Sequence, residues 1–140
     1  MTAGGPLMIG FDHVNLRSHN LERAIDFYTA VLGLRLVRVE RDAAGAIRFA
    51  SLRIGAGLID LQPSDAEWSA ERTGLNHFCL LIEPTDLDAL AQRLRESGVT
   101  ITEGPVRRQG AFGFGQALYI LDPDGHGIEL KHHEYPRAPV

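Results

Sequence analysis

Within IGFDHVNLR (9–17), the residues HVNLR (13–17) alternate polar and apolar at period two, the pattern of a strand with one buried face. After Asn20 the period changes. Leu21, Ala24, Ile25, Tyr28, Val31 and Leu32 fall on one stripe of a helix. Asn20 is a good N-cap and Gly33 a stop. Strand-like segments then follow at 34–40, 47–54 and 57–62.

The same order then repeats. GLNHFCLLI begins a second module as a strand, and DLDALAQRLRESG reads as a helix with Leu87, Leu90, Ala91 and Leu94 on one face. Thr85 is its expected N-cap, with Asp88 three residues on as a near capping box, and Gly98 is the stop. Further strands are expected at 99–103, 116–122 and 127–132, the last two joined by the turn DPDG (122–125). The chain is therefore read as β-α-β-β-β twice, an α+β fold in one domain over 1–140. Module one covers about 9–63 and module two about 74–136. About five extra residues of module two are assigned to a loop, RRQGAFGFG.

Composition narrows the function. The net charge is −4 and the basic residues form no long run, which argues against nucleic acid as the main partner. No apolar stretch approaches the roughly 20 residues that cross a bilayer, and the N-terminus lacks the basic and apolar regions of a secretory signal. The one cysteine, Cys79, can form no internal disulfide; a reducing cytoplasm is the default location.

The polar residues of the strands share one face. His13 and Asn15 lie opposite Val14 and Leu16; Asp60 lies opposite Ile59 and Leu61. In module two His77, Cys79 and Glu129 stand opposite Phe78, Leu80, Ile128 and Leu130. One histidine in an apolar strand is commonly a packed core residue, and a buried Glu129 would ordinarily pair with a neighbour such as Lys131. A histidine and a carboxylate at matching slots of two repeats point instead to a divalent first-row metal. The candidate ligands are His13, Asp60, His77 and Glu129.

DHVNL, LERAIDFYTAVLGL, LIDL, NHFCL and LYILDPDGHGIEL together resemble the vicinal oxygen chelate superfamily, which includes glyoxalase I, extradiol dioxygenases, methylmalonyl-CoA epimerase and the fosfomycin and bleomycin resistance proteins. The resemblance spans about Ile9 to His132. It implies two βαβββ modules paired into an incomplete barrel, and a homodimer able to place ligands from both chains at one site. It also implies one divalent metal (Fe, Mn, Zn, Ni or Co) on His13, His77 and Glu129, with Asp60 where glyoxalase-like members carry Glu and Gln62 as a substitute. A small substrate would chelate the ion through adjacent oxygens. In a glyoxalase- or epimerase-like enzyme, Glu129 or Asp60 would remove a proton alpha to a carbonyl. In an extradiol dioxygenase, Tyr119 would stand beside an iron centre, though the further histidines of those enzymes align here with Gln62 and Gly110.

The remaining candidates concern substrate. The loop 107–115 is expected to act as a lid, with Arg107 or Arg108 meeting an acidic group and Phe112 or Phe114 covering it. Asn15 shares the His13 face and is a further substrate contact. His126, His132 and His133 are expected at the surface, Cys79 as small packing, and Trp68 against a neighbouring chain. Two rivals remain: a non-catalytic antibiotic-binding protein of the bleomycin-resistance kind, and a fosfomycin-type transferase, which would need more basic residues around the substrate.

Overall fold

The computed structural model describes residues 5–134; the expected end of module two at Pro136 lies outside them. The chain divides between Ser64 and Asp65 into two compact units. The first contains β1 (His13–Ser18), α1 (Leu21–Asp26), β2 (Arg35–Arg41), β3 (Ile47–Ile54) and β4 (Gly57–Pro63). The second contains β5 (Phe78–Leu81), α2 (Leu87–Glu96), β6 (Ile101–Gly110), β7 (Gly113–Leu121) and β8 (Gly127–His133). Each unit holds one open four-stranded sheet, ordered β1-β4-β3-β2 and β5-β8-β7-β6. The first strand of each pairs in parallel with the last, and the other pairings are antiparallel. The architecture is α+β, with β-α-β-β-β repeated as the hydrophobic pattern predicts.

Each helix covers the apolar face of its own sheet. α1 packs against β3 and β4, over Ala50, Leu52, Ile59 and Leu61; α2 packs against β6 and β7, with Ala91, Leu94, Leu118 and Ile120 buried. Burying one such Leu or Ile side chain contributes about 1.5–3 kcal/mol. Asn20 caps α1 by accepting from the Arg23 N–H at 3.0 Å. Gly33 and Gly98 end the two helical segments with φ of 77° and 81°, a region where a Cβ is strained.

Four details differ from expectation. After Asp26 the first helix continues as a π turn, Phe27–Val31. The wider turn rotates the inward face, so Phe27 joins Tyr28 in the core and Val31 and Leu32 are only half-buried. The cap of α2 is Asp86, not Thr85: its carboxylate accepts from the N–H groups of Asp88 and Ala89 at 3.0 and 3.1 Å. The residues 107–115 are not a loop. β6 and β7 run through them to a two-residue turn at Ala111–Phe112. The glycines that lower strand propensity there are required by packing, since a Cβ on Gly115 would run into the His132 carbonyl of β8. His126 is buried, with Trp68 of the same unit 5.2 Å from its ring, so His126 does not take the surface position the sequence suggests.

Candidate functional site

In the first unit the parallel pairing of β1 with β4 sets Asp60 opposite Asn15, two residues beyond His13. The imidazole Nε2 stands 3.8 Å from Asp60 Oδ2. Its Nδ1 lies 2.6 Å from Asp12 Oδ1, which places the ring proton on Nδ1 and turns the Nε2 lone pair toward Asp60. The hydrogen bond to Asp12 raises the His13 pKa above its ordinary 6.5; burial opposes this and the Asp60 charge adds to it. Asp60 itself is buried, and the Ser51 hydroxyl of β3 donates to its Oδ1 at 2.6 Å. The second carboxylate oxygen is thus left facing the histidine.

The second unit repeats this arrangement with other residues. Glu129 lies opposite Cys79, two residues beyond His77, and His77 Nε2 is 3.9 Å from Glu129 Oε1. His77 Nδ1 pairs with Asn76 Oδ1 at 2.7 Å, as His13 pairs with Asp12. Tyr119 of β7 is in register with Glu129, as Ser51 of β3 is with Asp60. Its ring meets His77 edge-on at 5.3 Å. Burial first, and then a hydrogen bond to Glu129, raise the Tyr119 pKa, with Arg108 pulling the other way. The Cys79 thiol shares the Glu129 carboxylate; desolvation and that hydrogen bond push it up to about 12. Although Cys79 as a residue is exposed, its sulfur is turned toward buried groups.

A glycine makes each histidine's position possible. A Cβ on Gly57 would lie 2.9 Å from the Asp12 carbonyl oxygen, and one on Gly127 2.6 Å from the Asn76 carbonyl oxygen. Without side chains there, the histidine-bearing segment can lie close to the carboxylate-bearing strand. Sequence reasoning passed over Asp12, Asn76, Ser51 and this glycine pair. Their signal was present: DH against NH, and GLID against GIEL, at matching slots of the two modules.

The donor set suits a divalent first-row ion. Each pair offers an imidazole nitrogen and a buried carboxylate oxygen. Two donors each about 2.1 Å from one ion lie at most about 4.2 Å apart, so either pair can share an ion without strand movement. Among the described residues no three His, Cys, Asp or Glu side chains gather closely enough to hold an ion. What the structure brings together is two pairs, one in each unit.

Beside the second pair lies a cleft of about 480 Å³ within its own unit. His77, Glu129 and Tyr119 form one part of its wall, with Arg108, Phe112 and Lys131 among the rest. Arg108 reaches Glu103 and lies 5.8 Å over the Tyr119 ring. Phe112 packs on His133 at 4.9 Å. Arg107 and Phe114 are not among the cleft walls. The Arg107 guanidinium lies 3.9 Å over Phe114 and meets Glu134 through two hydrogen bonds of 2.6 and 3.2 Å. Alternation along β6 separates Arg107 from Arg108. Asn15 is exposed on β1 beside Asp60, and Gln62 is half-buried. His132 and His133 are half-buried as well. Lys131 does not pair with Glu129; its Nζ donates to the Gly113 carbonyl at 2.9 Å.

The model of the glyoxalase/bleomycin resistance protein/dioxygenase superfamily matches residues 10–130. The chain belongs to this superfamily. Among its members, a virulence protein of Salmonella typhimurium is 30% identical over 87% of this chain and 83% of its own length. The crystal structure of that protein gives a TM-score of 0.70, covering 91% of this chain and 99% of the other. The metallothiol transferase FosB of Shouchella clausii is 32% identical over 86% of this chain and 78% of its own. A lactoylglutathione lyase of Escherichia coli O157:H7 is 29% identical over 84% and 88%. The superfamily thus includes metalloenzymes of several chemistries, and the fold of this chain is that of the glyoxalase/dioxygenase group.

Proposed function

We propose that this superfamily member is a metal-dependent enzyme, with the His13–Asp60 and His77–Glu129 pairs as its divalent-metal ligands. The observation that carries the reading is the repeat of one device. In both units a histidine has its Nδ1 engaged by the preceding side chain and its Nε2 turned to a buried carboxylate, within 3.8 Å in one and 3.9 Å in the other. Asp60 is favoured over Gln62 as a ligand, because Ser51 holds one of its oxygens and leaves the other toward His13. When bound, the ion supplies Lewis acidity to a small substrate carrying two adjacent oxygens.

The chain's own residues add proton handling and shape. Glu129 is the group placed to hold a proton taken from substrate in the cleft, and the Tyr119 phenol, kept protonated, donates toward that carboxylate. Of the chemistries open to the superfamily, lyase, isomerase or transferase chemistry is favoured over ring cleavage, since relatives of similar length are named as a lyase and a transferase.

Metal analysis of the untagged protein tests this. Wild type should carry divalent metal, and His13→Ala and His77→Ala should each lower its content. A wild type that stays metal-free after reconstitution, or equal content in all three, would remove the reading. Iron together with O₂-dependent turnover would shift it to dioxygenase chemistry.

A further inference from the structure

Lys131 is only 2% exposed, yet it lines the cleft beside the His77–Glu129 pair. A buried ammonium is costly unless its donors are satisfied. Among the described residues it forms no ion pair, and its Nζ donates to one backbone carbonyl, Gly113 O. That leaves two of its three N–H donors without a protein acceptor among the described residues. The space around it is kept by the hairpin tip: a Cβ on Gly110 would stand 2.6 Å from Nζ. Leu81, Phe112 and Tyr119 give the same cleft carbon and ring surface, and Arg108 adds a second cation already committed to Glu103.

Glu129 and Lys131 are two residues apart on β8 and face the same side, a separation of about 6.5–7 Å along the strand. We propose that Lys131 is the anchor for an anionic oxygen group, carboxylate or phosphonate, at the end of the substrate remote from the metal ligands. The substrate class is then a small organic oxyanion with a short carbon body lying against Phe112 and Tyr119. This rests on the metal-site reading for its orientation, though not for the binding of the anion.

The test uses metal-free full-length protein titrated with propionate, methylphosphonate and neutral propionamide, followed by calorimetry and by the ¹⁵Nζ resonance of Lys131. One or both acids should shift that resonance, and should bind at least tenfold more weakly to Lys131→Met. Propionamide should bind no better to wild type than to the variant. Whichever acid binds more tightly assigns the anion as carboxylate or phosphonate. A folded Lys131→Met that binds the acids as wild type does would overturn the proposal, as would an amide that binds as well as the acids. If the variant does not fold, the wild-type resonance decides, and no shift with either acid overturns it. Acid binding retained in a His77→Ala protein that has lost metal separates the anchor from the metal site. Acid binding by a wild type that never takes metal sinks the metal reading alone.

Discussion

At the scale of single residues, chemistry here is set by what stands next to each polar atom. The two histidines do not compete for protons on both nitrogens, because Asp12 and Asn76 each hold one. Glu129 is the busier carboxylate: His77, Tyr119 and Cys79 all face it. That arrangement gives Cys79 an unusual property for an exposed residue. Its thiol, ordinarily near 9.0, is held protonated up to about 12, and only the thiolate is nucleophilic. In metal-free protein at pH 8, alkylation of Cys79 by iodoacetamide should run roughly two to three orders of magnitude slower than that of an ordinary exposed thiol. Mass spectrometry of timed samples would show it, and Glu129→Gln should recover only part of the rate, because burial is the larger cause and stays. Fast alkylation of the wild type would mean that the sulfur is not buried beside the carboxylate.

Among elements, the parallel pairs β1–β4 and β5–β8 carry the site, and the glycines opposite Asp12 and Asn76 let them close. Adding a methyl group at Gly127 forces backbone to move, because its neighbours are the Asn76 carbonyl at 2.6 Å and the His77 Cβ at 3.2 Å. Gly127→Ala should cost on the order of 1–3 kcal/mol in urea unfolding. The same displacement moves His77, so metal affinity should fall roughly tenfold or more. Unchanged stability and affinity would show that the two strands do not need this close approach. The β6–β7 hairpin is the other element with a functional consequence. Its tip brings Gly110, Phe112 and Gly113 to Lys131, where the glycine-rich sequence reads as a loose connection.

The whole molecule has an apolar segment that the described residues leave uncovered. Leu7, Met8, Ile9 and Phe11 are 71%, 92%, 96% and 103% exposed, and they lead into β1, an edge strand. A run of large exposed apolar side chains beside an open strand edge calls for cover, which supports the homodimer expected from the resemblance. Light scattering should give twice the chain mass for wild type and a lower mass for an Ile9→Asp, Phe11→Asp double variant. A wild type that runs as a monomer at micromolar concentration would remove the dimer. No helix among the described residues is long and apolar enough to cross a membrane.

The sequence by itself determined the repeated β-α-β-β-β order, the faces of the strands, the two histidines and the two carboxylates. These follow from local periods of two and 3.6 residues and from motifs that recur between modules, so no distant contact is needed to see them. Tertiary structure alone decided the rest. The parallel register that sets Asp60 beside His13 and Glu129 beside His77 joins segments far apart in the chain. Engagement of Nδ1 by Asp12 and Asn76, the burial of Lys131 and His126, and the extension of β6 and β7 through a glycine-rich stretch all depend on what packs from elsewhere. Pairing and burial are properties of neighbours in space, and local pattern does not specify them.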